Sequence, residues 1–123
     1  MRKVFLDVDN TIVLWTENSD HWKANQNLVN LMIKLHLLGK IELIVWSFGG
    51  EGYARKWANQ LIGRENYDKA CSKDPSLVNN NIDIIIDDDA NGTTDGFMKN
   101  WSQISFLPHE LDRIEGEVNG DQH

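Results

Sequence analysis

Val4-Phe5-Leu6-Asp7-Val8-Asp9-Asn10-Thr11 is the stretch whose reading decides the fold. Three apolar residues run into two carboxylates one residue apart, and the apolar run stops at an Asn-Thr pair. A parallel strand covered by helices on both faces lacks polar alternation, so Val4 to Leu6 predicts a short buried strand. Side chains alternate across a strand, which puts Asp7 and Asp9 on the same side. In open α/β sheets ligands bind in the crevice beyond the carboxyl ends of the strands, and this acidic pair stands at such an end.

A second apolar run, Ile82 to Ile86, leads into Asp87-Asp88-Asp89. Like unit charges about 4 Å apart repel by about 4 kcal/mol at an effective dielectric of about 20, so the gathered acids require a cation or a shared proton. Hard oxygen ligands in a chain with few histidines favour Mg²⁺, which takes one or two carboxylates and leaves its other positions to water and phosphate. The plainer reading, in which Asp7 and Asp9 end a strand and cap a turn, accounts for one acidic cluster at a strand end but not for two.

Asp7-Val8-Asp9-Asn10-Thr11 resembles the DxDxT signature of the haloacid dehalogenase (HAD) superfamily of phosphatases and phosphotransferases. Ile44-Val45-Trp46-Ser47, then Lys73 before Asp74-Pro75, then Ile84-Ile85-Ile86-Asp87-Asp88 resemble the later motifs of that superfamily, in the expected order and across about 80 residues. Asn10 stands where many members have Gly, and Asn also tolerates unusual backbone angles. The resemblance implies a three-layer Rossmann-like α/β sandwich with a mainly parallel sheet. It also implies no cap domain, because neither gap where larger members insert one can hold it.

The same resemblance implies the chemistry. Asp7 is the expected nucleophile and Asp9 the acid and base, with Ser47 and Lys73 stabilising the transferred phosphoryl group. Mg²⁺ is expected on Asp7, the backbone carbonyl of Asp9, Asp87 and Asp88, with Asp87 the better match to the metal-binding acid. Asp89 is expected to face water or cap a turn. The expected activity is Mg²⁺-dependent hydrolysis of a phosphate monoester through an aspartyl phosphate, with a nucleotide or polynucleotide end favoured among substrates.

Two alternatives belong to other classes. One is a receiver-type phospho-acceptor module, which needs its phosphorylated Asp at the end of a middle strand, whereas the middle strand by sequence ends in Ser47. The other is a metal-binding domain without catalysis, although every side chain required for catalysis is present.

At 123 residues the chain is expected to form one domain, residues 1–115, followed by a polar and disordered tail, residues 116–123. Its 12 basic and 19 acidic residues give a net charge of −7, which argues against broad non-specific nucleic-acid binding but not against a local basic path for one nucleic-acid end. The lone Cys71 permits no internal disulfide and suits a reducing cytoplasm, with packing as its role. Asp7 interrupts the apolar run after Arg2-Lys3 too early for a signal peptide, and no run is long enough to span a membrane.

Between the motifs, Ile12 to Leu14 extends the first strand or begins a hairpin, and over Trp15 to Gln26, a polar stretch with two tryptophans, the resemblance implies a small flap. Trp15, His21 and Trp22 either line the site entrance, each Trp offering a stacking face, or pin the flap to the core. From Lys23 a helix is predicted, with Leu28, Leu31, Met32, Leu35 and Leu38 as its apolar stripe and Gly39 as its stop. His36 is expected to be partly exposed. Ile41 to Trp46 is the second strand, and Ser47 either donates to phosphate or caps a helix. Tyr53, Trp57 and Leu61 mark a second helix face, Tyr67 to Ser72 a third strand, and Asp74-Pro75 a helix start. Asn91-Gly92 and Asp95-Gly96 signal a loop in which Asp95 is a further candidate for the metal or its waters. Ile104 to Leu107 is the last strand, followed by one or two helical turns over His109 to Ile114.

Overall fold

The computed structural model describes residues 2–16, 20–79, 82–87 and the backbone of 104–106. Strand β1 (Arg2–Asp7) is followed by the hairpin of β2 (Val13–Trp15) and β3 (Trp22–Ala24), which pair antiparallel outside the main sheet. Helix α1 (Gln26–Leu37) leads to β4 (Ile41–Ser47), and helix α2 (Glu51–Leu61) to β5 (Lys69–Ser72). Strands β6 (Ile84–Ile86) and β7 (Ile104–Phe106) complete a five-stranded sheet in the order β5-β4-β1-β6-β7, every neighbouring pair being parallel.

The sheet order fixes where the helices lie. From β1 the chain steps to β4 and then β5 in one direction, so two crossovers of the same right hand put α1 and α2 on the same face. That face presents Val4, Leu6, Leu43, Val45, Ala70 and Ile86 to Leu28, Leu31 and Met32 of α1 and to Ala54, Trp57 and Ala58 of α2. Each such side chain, fully removed from water, contributes roughly 1.5–3 kcal/mol when it is as large as Leu or Met. The return from β5 to β6 runs the other way across β1, and on the opposite face Phe5, Ile44, Trp46 and Ile85 form a second cluster against Cys71, Leu77 and Val78. Phe5 and Trp46 stack there at 4.5 Å with tilted rings.

The central strand is therefore β1, which ends at Asp7, and not β4, which ends at Ser47. Chain order misled on this point because strands are added to both sides of β1. It also makes β1 the strand at which the winding reverses, and ligand crevices form at such switch points in open α/β sheets.

Several boundaries moved for local reasons. The first helix starts at Gln26 rather than near Lys23, because Trp22 to Ala24 is drawn into the hairpin. Its buried residues include Val29, while Leu38 is exposed because it is the C-cap residue. Beyond it the amides of Gly39 and Lys40 donate back to the carbonyls of His36 and Leu35, and Gly39 takes a φ of 69° that favours glycine. Asp74-Pro75 starts only one turn of 3₁₀ helix, Pro75–Leu77, with the Asp74 carboxylate accepting from the Ser76 amide. Asp83 precedes β6, is buried, and accepts a 2.7 Å bond from the Asn79 amide. No helix among the described residues is long and apolar enough to cross a membrane. Asp88, Asp89, Asp95, the expected turns at 109–114 and the expected tail at 116–123 lie outside the described residues.

Candidate active site

β1 ends at Asp7, and the chain then folds over on itself. The amides of Thr11, Ile12 and Val13 all donate to the carbonyl of Val8, at 3.2, 3.1 and 3.0 Å. Asn10 closes this turn with a φ of 59°, the left-handed conformation that Asn tolerates better than most residues. Thr11, fully buried, donates its hydroxyl to Asp7 Oδ2 at 3.2 Å and so fixes the carboxylate's rotation.

Strand alternation predicts that Asp7 and Asp9 share one side, but the strand stops at Asp7 and Asp9 lies in the turn. The two carboxylates consequently take different partners. Asp7 Oδ1 lies 3.1 Å from Lys73 Nζ, and Lys73 also donates to Asp87 Oδ2 at 2.8 Å. All three side chains are nearly inaccessible to solvent. Asp9 Oδ1 instead accepts from two neutral donors, the Trp15 indole at 2.8 Å and the Tyr53 hydroxyl at 2.6 Å.

Burial opposes the charge on Lys73, but attraction to Asp7 and Asp87 together outweighs it, and the ammonium pKa is raised above its ordinary value. Lys73 is thus held in its charged form between two buried carboxylates, brought there by the chain leaving β5. Its backbone amide is tied to the carbonyl of Ser47 on the neighbouring strand, which sets its position. Desolvation, and then the bond to Asp9, push the Tyr53 hydroxyl up to about 12. Tyr53 therefore remains a donor across the neutral range. Burial also raises the Cys71 thiol, in keeping with packing rather than nucleophilic work.

Ser47 ends β4, one residue beyond Trp46, the register partner of Asp7, and is buried. Its oxygen accepts the amide of Gly49 at 2.9 Å, while the N-cap position of α2 belongs to Gly50. Accepting that bond leaves the hydroxyl's own proton to donate. Gly49 is where small size matters: a Cβ there would sit 3.0 Å from the Tyr53 ring and 3.3 Å from the Ser47 hydroxyl. The neighbouring Phe48 is 61% exposed, with Lys73 Nζ 4.4 Å from its ring centre.

The flap tryptophans chose packing. Trp15 and Trp22 meet the ring of Trp57 edge-on at 6.0 and 4.8 Å, pinning the hairpin to α2. His21 is exposed, and His36 pairs with Asp68 at 3.2 Å far along the chain from the acids.

Thus β1, β4, the segment after β5, and the end of β6 bring Asp7, Ser47, Lys73 and Asp87 to one edge of the sheet, with Asp9 in the turn above. Sequence reasoning gave Tyr53 only a packing role, and gave Thr11 none beyond its place in the motif. The signal for Thr11 was its four-residue spacing from Asp7; for Tyr53 there was none, since 44 residues separate it from Asp9. Among the described residues, no group of three His, Cys, Asp or Glu side chains is gathered as a metal cage. No protein-family model, no curated protein and no solved structure matches the chain, so the site's own geometry carries the functional argument.

Proposed function

We propose that the chain is a Mg²⁺-dependent phosphate monoester hydrolase of the capless HAD type, with a three-layer HAD-like fold and an aspartyl phosphate formed on Asp7. The observation that carries this reading is the division of labour between neighbouring carboxylates. Asp7 and Asp87 share the Lys73 ammonium, whereas Asp9 is held apart by neutral donors. Environments that differ in this way suit one carboxylate to nucleophilic attack and the other to proton transfer.

In the first half-reaction an Asp7 oxygen attacks phosphorus as the bond to the leaving oxygen breaks. The departing electron pair takes a proton from the acid form of Asp9, releasing an alcohol. In the second half-reaction water attacks the same phosphorus, and Asp9, now a carboxylate, takes the water's proton. Asp7 is regenerated and inorganic phosphate leaves. Lys73 and the Ser47 hydroxyl stabilise the charge spread over the phosphoryl oxygens in both transition states.

The donor set fits Mg²⁺. Two carboxylates against one ammonium leave a residual negative charge, and hard oxygen donors are what this ion takes. Asp7, Asp87 and the Asp9 carbonyl would hold it, with Asp88 outside the described residues. Bound there, it supplies Lewis-acid polarisation of the phosphoryl group and screens its charge from the nucleophile.

A second reading, a phospho-acceptor module, gains support from Asp7 ending the central strand. The two differ in the fate of the aspartyl phosphate, which Asp9 is positioned to break down only in a hydrolase. The test is turnover of p-nitrophenyl phosphate with Mg²⁺ and with chelator, in the native chain and in Asp7→Asn. Mg²⁺-dependent multiple turnover that Asp7→Asn abolishes is expected. Phosphorylation without release favours the acceptor, and near-native turnover by Asp7→Asn removes the nucleophile from its role. A screen of phosphorylated compounds, including 3′- and 5′-phosphorylated oligonucleotides, then tests the nucleotide or nucleic-acid end as substrate.

A further inference from the structure

The aromatic cluster that joins the flap hairpin to α2 also grips Asp9. Trp15 comes from β2 and Tyr53 from α2, yet both donate to the same atom, Oδ1, at 2.8 and 2.6 Å. Neither of these bonds involves Oδ2. An oxygen already accepting two hydrogen bonds is a poor place for a proton, since an added O–H would point into its own donors. The geometry thus singles out Oδ2 as the Asp9 oxygen that neither aromatic donor engages. The two donors are themselves held by Trp57, whose ring Trp15 meets at 6.0 Å, Trp22 at 4.8 Å and Tyr53 at 6.5 Å, all edge-on. Trp57 is almost fully buried.

We infer that Trp15 and Tyr53 are positioning residues for proton transfer: together they turn Asp9 so that Oδ2 faces the leaving oxygen, and docking of the hairpin on Trp57 sets that orientation. The inference rests on the phosphatase reading above and adds to it the means by which the acid is aimed. It also gives the hairpin a role other than covering the site. An undocked hairpin takes Trp15 away from Asp9 and leaves Tyr53 alone to hold a carboxylate free to rotate.

The test uses the full chain with Mg²⁺ and two substrates, p-nitrophenyl phosphate, whose leaving group needs little protonation, and glycerol 2-phosphate, whose alkoxide needs it fully. Tyr53→Phe and Trp15→Phe each remove one donor and retain an aromatic ring. Because positioned acid–base catalysis contributes about 10²–10⁴-fold, each substitution should slow the alkyl ester about 10-fold while slowing the nitrophenyl ester about twofold or less. Equal slowing of both esters, or slowing of neither, overturns the inference while the phosphatase reading stands. Failure of the native chain to hydrolyse either ester refutes both together. A second readout needs neither metal nor turnover: the Trp15 indole proton, identified by its loss in Trp15→Phe, should exchange with water at least about 10-fold faster in Asp9→Ala. Unchanged exchange shows that Asp9 does not hold that group and overturns the inference.

Discussion

Lys73→Met tests the centre of the site in a way that does not depend on substrate. The ammonium lies 2.8 Å from Asp87 and 3.1 Å from Asp7, with only 5% of the Lys73 side chain exposed. At an effective dielectric of about 20, one such contact represents roughly 5–6 kcal/mol of gross attraction, much of which offsets the cost of taking the charges out of water. Removing only the lysine leaves two buried carboxylates facing each other. Breaking a buried pair in this way costs about 3–5 kcal/mol, a large share of the roughly 5–15 kcal/mol that holds a domain together. At roughly 3–4 °C per kcal/mol for a chain of this length, the melting temperature should fall by about 10–20 °C. Asp87→Asn in the Lys73→Met background should restore part of the loss, because the orphaned charge is then gone. The assay is urea unfolding at neutral pH in chelator, followed by tryptophan fluorescence, for the native chain, both single variants and the double. A coupling of at least about 2 kcal/mol is expected, well outside the roughly 0.5 kcal/mol scatter of independent sites. If Lys73→Met costs under about 1 kcal/mol, or if the two losses simply add, the bridge is not the electrostatic keystone described above.

Asp87→Ala should weaken Mg²⁺ binding by at least about 10-fold in calorimetry, because a carboxylate ligand is lost; unchanged affinity would move the metal off β6. Gly49→Ala should displace the Tyr53 ring, which a Cβ would approach to 3.0 Å, and slow the alkyl ester more than the nitrophenyl ester; full activity on both would show that the ring can give way. Stability should fall above about pH 10. Both Lys73 and Tyr53 have pKa values raised by folding, so the stability each contributes is complete below its unfolded value and is lost as pH rises through the folded one. For Tyr53 the window closes at about 12, so Tyr53→Phe should flatten the decline between about pH 10 and 12 in denaturation curves. An unaltered slope would mean that Tyr53 keeps no folded-state advantage as a neutral donor.

The sequence by itself determined the strand that opens the fold, the helices that cover it and the acids at its end. These are local consequences of patterning. An apolar run with two acids at its end reads as a buried strand pointing at a crevice, and leucines at three- and four-residue spacing read as a helix face, whatever surrounds them. Lys73 was legible through motif order and through the need of the gathered acids for a positive group, since a lone lysine before Asp-Pro is ordinarily a surface charge. Tertiary structure decided which strand is central, because the direction in which the chain adds strands is not written in any one segment. It also decided the separate fates of Asp7 and Asp9. Their spacing promises one shared side, but the strand stops between them, and the partners that distinguish them, Lys73, Trp15 and Tyr53, arrive from β2, α2 and the segment after β5. The contacts of Lys73 and Tyr53, far along the chain from the acids they meet, exist only once the sheet and its crossovers have formed. Their energy comes from burial and charge pairing that no local pattern records.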